Sequence, residues 1–204
     1  MNQDGIDRSR RRFLTTAATV VGGIGAAATA VPFISTMTPS ARAKAIGAPV
    51  EADIGDLKPG ELRRIKWQGK PVWILLRGKD ELDALSELDS KLRDPNSEDQ
   101  QQPAYAKNEY RSVKPEVLIV VGLCTHLGCS PTYVPREEAQ SYGLPTDWAG
   151  VFFCPCHGSR FDLAGRVFKD VPAPRNLLVP PHQYLNDTRI LIGSDSGTTS
   201  LTAS

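Results

Sequence analysis

Cys124-Thr125-His126-Leu127-Gly128-Cys129 and Cys154-Pro155-Cys156-His157-Gly158-Ser159 are the two stretches around which the chain is organised. Together they hold all four cysteines and two of the three histidines in 204 residues. Each supplies a Cys and a His at close spacing, and each has a further Cys. Cys124 and His126 are two positions apart, so a tight loop can aim both inward. Cys154 and His157 are three apart, as in one turn of a ligand loop.

Thiolate is the usual iron ligand in iron–sulfur clusters, and neutral imidazole suits Fe and Zn. A [2Fe–2S] centre with Cys on one iron and His on the other needs two of each. A structural zinc site can be built from the same set. Four cysteines also allow three disulfide pairings. Zinc gives no reason for the additional Cys in each loop, and disulfides alone leave the matched histidines unexplained.

The apolar run Val117-Leu118-Ile119-Val120-Val121 reads as a buried strand leading into the first stretch. Val151-Phe152-Phe153 leads likewise into the second. Residues 130–150 between them carry three prolines and mixed charge, and read as a surface excursion around Trp148. Arg160-Phe161-Asp162 and Arg166-Val167-Phe168 read as a hairpin turning at Gly165, followed by the stiff loop Asp170-Val171-Pro172-Ala173-Pro174. Leu177-Leu178-Val179 and Arg189-Ile190-Leu191-Ile192 read as strands of a main sheet. His182 reads as a packing or surface histidine. Upstream, Leu62–Trp67 and residues 71–76 read as strands joined at Gln68-Gly69-Lys70. Leu82, Leu85, Leu88 and Leu92 have helical spacing across residues 79–92. Residues 94–112 read as a polar loop, and no internal repeat is visible.

The net charge is +1, which gives no electrostatic case for nucleic acid. The charge is uneven, however. Arg8, Arg10, Arg11 and Arg12 crowd the start, while residues 13–37 carry none. That length is enough for a transmembrane helix, which needs about 20 residues. The arginines place the N-terminus in the cytoplasm. Ser9-Arg10-Arg11-Arg12-Phe13-Leu14 looks like a twin-arginine export signal, and Ala41-Arg42-Ala43 has the shape of a cleavage site. Small residues dominate 38–49, which predicts a flexible linker.

The C-T-H-L-G-C and C-P-C-H-G-S pair resembles the Rieske iron–sulfur subunit of the bacterial quinol–cytochrome c reductase (cytochrome bc) family. The resemblance extends over export signal, anchor, hinge, both loops and the Pro172-Ala173-Pro174 loop. It implies a mostly β fold: an antiparallel β base over residues 50–193, with a smaller cluster-binding subdomain inserted at about 123–174. Residues 1–12, 13–37, 38–49 and 194–204 become cytoplasmic N-terminus, transmembrane helix, hinge and tail.

By that resemblance Cys124 and Cys154 bind one iron of a [2Fe–2S] cluster, His126 and His157 bind the other, and Cys129 pairs with Cys156 in a disulfide. Ser159 matches a serine that donates a hydrogen bond to cluster sulfur. Leu127 matches the residue shielding the cluster at the docking tip, and Gly128 beside it is grouped with the cluster-tuning positions. His157 is the ligand facing quinol. Phe161 stands where many members have Tyr, and Val171 where Gly is common. The implied activity is one-electron oxidation of ubiquinol, a proton leaving through a ligand histidine, with the electron passed to a c-type cytochrome. The implied partners are cytochrome b and a membrane-anchored c-type cytochrome in a dimeric complex at the bacterial inner membrane, the head in the periplasm. Two other readings fit the ligand types: the small subunit of a periplasmic molybdenum oxidoreductase, and an anchored zinc module.

Overall fold

The computed structural model describes residues 7–145 and 148–194. The side chains of Arg42, Lys44 and Ile46 and all but the first residue of the expected tail lie outside the description. The chain divides into two units, 1–45 and 46–204.

In the first unit, α1 runs from Arg8 to Thr36, 29 residues. It starts before the uncharged stretch because Asp7 caps it, its carboxylate accepting the N–H groups of Ser9 and Arg10 at 2.9 and 3.2 Å. At about 1.5 Å per residue the helix exceeds the ~30 Å of a bilayer core. Phe13, Val21, Ile24, Val31 and Phe33 are all exposed. An apolar helix with no buried face suits a lipid environment. The Thr15, Thr19, Thr29 and Thr36 hydroxyls donate back to carbonyls three or four residues earlier, so they need no water.

Residues 38–49 are not an irregular linker throughout, because Ala41–Gly47 form helix α2. Ser40 Oγ accepts the N–H of Ala43 at 3.1 Å, as a helix-starting side chain does. The alanines that lack packing bulk are also the strongest helix formers.

Among its described residues the second unit contains nine strands: β1 Val50–Asp53, β2 Leu62–Trp67, β3 Lys70–Leu76, β4 Val117–Val121, β5 Thr132–Pro135, β6 Gly150–Phe153, β7 Arg160–Phe161, β8 His182–Tyr184 and β9 Arg189–Ile192. They form three antiparallel sheets of order β1-β9-β8, β2-β3-β4 and β5-β6-β7. The middle sheet explains the unbroken apolar run of β4. Trp73 pairs with Val120 and Leu75 with Leu118, and these four join one core with Phe152, Phe161 and Leu163. Val72, Ile74, Ile119 and Val121 point the other way, into a second core with Ala52, Ile190 and Ile192. A strand covered on both faces cannot alternate apolar and polar.

Three expectations change in detail. The leucine spacing of 79–92 is used, with Leu85, Leu88 and Leu92 buried. The α-helix, α3, is however only Lys79–Asp83, and Ser86–Lys91 continue as a 3₁₀ helix. The Leu85 carbonyl accepts from the Arg166 guanidinium at 2.7 Å and from Leu88 N, so it is drawn from an α-helical ladder. Residues 130–150 are not a surface excursion. They supply β5, a 3₁₀ helix at Arg136–Tyr142, and buried Val134, Ala139, Leu144 and Trp148. Trp148 stacks on Phe168 at 4.4 Å. Finally, residues 177–179 hydrogen-bond to Gly165, Val121 and Gln101 without forming a strand, and β8 follows them instead. His182 is buried there, its backbone bonded on both sides to the Tyr105 hydroxyl.

Candidate metal centre

The two Cys/His stretches leave β4 and β6, both held rigidly in the cores. Gly122 makes the first exit possible, since a Cβ there would lie 2.1 Å from the Trp73 ring. The loops then adopt the same backbone. In the first, Cys124 N–H donates to Cys129 O at 2.7 Å and Gly128 N–H to Cys124 O at 2.9 Å. In the second, Cys154 N–H donates to Ser159 O at 2.8 Å and Gly158 N–H to Cys154 O at 2.9 Å. Gly128 and Gly158 have φ of 80° and 74°, the left-handed region that glycine enters without penalty. A local repeat is therefore present. Its sequence signal was Cys followed four residues later by Gly, hidden because the other positions differ.

Side chains sort by depth. Cys124 and Cys154 are free and buried. Burial pushes the Cys154 thiol up, the Cys156 N–H pulls it down, and a hydrogen bond with the Cys124 thiol raises it again. The two thiols are thus neighbours. The His126 and His157 rings meet edge to face with centroids 4.8 Å apart. His126 is partly exposed and His157 exposed. Leu127, at the tip, is 72% exposed. Cys129 and Cys156 are joined as a disulfide bridging the loops. The sulfurs of Cys129, Cys154 and Cys156 lie within 4.8 Å of one another, but the disulfide leaves only Cys154 of these as a ligand. Two adjacent buried thiols and two adjacent imidazoles, one of each per loop, fit a binuclear iron–sulfur group with mixed ligands.

The Pro172-Ala173-Pro174 loop is bonded to the second stretch, and Arg175 directly after it to the first. Ser159 is fully buried, and its Oγ accepts the Ala173 N–H at 3.0 Å. The Thr125 hydroxyl donates to Arg175 O at 2.6 Å. Phe161 is buried in β7 opposite Phe152, and Val171 is buried as well.

Sequence reasoning missed what holds the turn after Phe161. Three buried arginines converge on residues 162–166. Arg77 donates to the Leu163 carbonyl, and also to Tyr110 O, Ser112 Oγ and Pro115 O. Arg111 donates to the carbonyls of Ala164, Gly165 and Leu177. Arg166 pairs with fully buried Asp162 at 2.7 Å and with Asp89 at 2.7 Å. Burial pushes Arg77 and Arg111 down, each to about 10, with the Asp162 carboxylate acting against it; both stay charged at neutral pH. The available signals were an Arg directly after an apolar strand and the Asp162/Arg166 spacing.

Residues 98–183 match the family model described as the Rieske [2Fe-2S] domain. Residues 1–40 match the one described as the Ubiquitinol-cytochrome C reductase Fe-S subunit TAT signal. The chain is 59% identical over 197 residues to the ubiquinol-cytochrome c reductase iron-sulfur subunit of Allochromatium vinosum, covering 97% of this chain and 94% of that one. It is 41% identical to the subunit of that name from Blastochloris viridis, over 95% and 97% of the two chains. It is 39% identical to the mitochondrial Rieske subunit of the cytochrome b-c1 complex of Candida albicans, over 89% and 75%. With two like-folded loops presenting paired thiols and paired imidazoles, and kinship of this extent along almost its whole length, the chain belongs to the family of Rieske [2Fe–2S] subunits of ubiquinol–cytochrome c reductase.

Proposed function

We propose that Cys124 and Cys154 hold one iron of the [2Fe–2S] group and His126 and His157 the other, within a subunit of ubiquinol–cytochrome c reductase. The observation that carries this is the sorting by depth: thiols adjacent and buried, imidazoles adjacent and nearer the surface, His126 partly exposed and His157 exposed. The bound group supplies a one-electron acceptor whose potential is raised by neutral imidazole ligands, to roughly −150 to +300 mV.

The rest is done by the protein. The exposed His157 ring accepts the quinol hydroxyl, orients the quinol and receives its proton at the outer ring nitrogen. Leu127 and the Pro172-Ala173-Pro174 loop exclude water where partners dock. The Cys129–Cys156 disulfide holds the loops at fixed separation. The Ser159 hydroxyl would donate to a sulfur of the bound group, which would favour its reduced state. The partners are cytochrome b, which presents ubiquinol, and a membrane-anchored c-type cytochrome, in a dimeric complex. Helix α1 anchors the chain in the bacterial inner membrane with its arginines cytoplasmic and its head periplasmic. Residues 38–49 carry the head between its two partners.

Detergent extraction tests this reading. Co-purification with b-type and c-type haem, plus a rhombic EPR signal on reduction, is the expected result. A haem-free preparation with a molybdenum enzyme, or an EPR-silent protein containing zinc, would overturn it.

A further inference from the structure

The Ser159 hydroxyl sits in an unusual position. It is fully buried and its oxygen accepts the backbone N–H of Ala173 at 3.0 Å. A serine oxygen that accepts keeps its own proton free to donate. The hydroxyl is also a rotor, so its proton can point in several directions unless a neighbour selects one. Ala173 is fully buried too, between two prolines that fix φ on either side. The donor is therefore held still. A hydroxyl that accepts from one fixed group and donates to another is polarised, which strengthens the bond it makes.

From this geometry we infer that Ala173 is a positioning residue for the redox centre: its backbone N–H orients and polarises the Ser159 hydroxyl toward the cluster. The inference rests on the reading that Ser159 donates to cluster sulfur. It gives the Pro172-Ala173-Pro174 loop a second task, distinct from covering the site. The side chain of Ala173 plays no part; the amide hydrogen does. The effect on the potential reaches the centre only through Ser159.

That last property makes the inference testable by a double-mutant cycle, which isolates coupling between two sites. The four proteins are the natural chain, Ser159→Ala, a chain with the 172–173 amide replaced by an ester, and the combination. The ester is introduced by placing the α-hydroxy analogue of alanine at position 173, which removes the N–H and retains shape. Ala173→Pro serves as a second route to the same loss. The readout is the midpoint potential of the full-length, detergent-solubilised protein, followed by the EPR signal of the reduced state.

The expected result is a fall in the reduction equilibrium of about threefold on removing the N–H, roughly 30 mV for a one-electron couple. Ser159→Ala is expected to lower it further, and the ester to have no effect in the Ser159→Ala background. An equal shift in both backgrounds would overturn the inference, since Ala173 would then act independently of Ser159. So would no shift in either. If Ser159→Ala itself leaves the potential unchanged, the underlying assignment of Ser159 fails, and the inference with it.

Discussion

The imidazole rings of His126 and His157 stand edge to face with centroids 4.8 Å apart, although the two residues are 31 positions apart in sequence. Both are more exposed than the thiols of Cys124 and Cys154, which are buried. His157→Ala is expected to remove the cluster, lowering iron from about two per chain toward none and abolishing the reduced EPR signal. Leu127→Ala, at the adjacent tip, is expected to retain both. Iron analysis of the two variants checks this, and a full complement of iron in His157→Ala would contradict the ligand assignment.

The disulfide closes a loop across 27 residues. Loop-closure entropy for that length corresponds to about 3.5 kcal/mol of stabilisation. Cys129→Ser is expected to lower unfolding stability by up to that amount and to weaken cluster retention. Denaturant titrations of natural and variant heads measure it. Free-thiol labelling at Cys129 and Cys156 in the natural protein would count against the pairing.

Among the described residues Asp162 is the one buried acidic group beside the three buried arginines around residues 162–166, the other carboxylate on Arg166, Asp89, being half exposed. Its removal leaves cationic charge unbalanced inside the head. Asp162→Ala is expected to cost about 3–5 kcal/mol. Replacing the pair together, Asp162→Leu with Arg166→Met, is expected to cost less than Asp162→Ala alone. The comparison of unfolding free energies decides whether the pair's charge balance or its shape matters more.

Phe161 is buried against Phe152 in the strand that follows Ser159. Phe161→Tyr adds one hydroxyl to that site. If it bonds a ligand sulfur, the potential is expected to rise by some tens of millivolts, since about 1.4 kcal/mol corresponds to 59 mV. If it finds no partner, stability is expected to fall by about 1–3 kcal/mol with the potential unchanged. Voltammetry and denaturation of the same variant separate the two outcomes.

The loops were legible because metal chemistry restricts which residues can stand where, and Cys and His are scarce elsewhere in the chain. The β4 run was legible because a strand buried on both faces has no polar positions. Other parts were not. Residues 130–150 look polar and proline-rich, yet Trp148 finds a partner in Phe168, 20 positions away, which no local pattern announces. Arg77 and Arg111 look like surface cations in sequence; their burial depends on carbonyls at residues 163–165 turning inward. The helix at Ala41–Gly47 was read as a linker because the same small residues serve both purposes.

The shared frame of residues 124–129 and 154–159 separates scaffold from spelling. Its third rung holds His126 in one copy and Cys156 in the other; its fourth holds Leu127 and His157; its sixth holds Cys129 and Ser159. The same bends thus display an imidazole, a bridging sulfur or a bare hydrocarbon according to which letter is written at each rung. Changes in what this end of the molecule presents can therefore accumulate by substitution alone, with no insertion and no redrawn backbone.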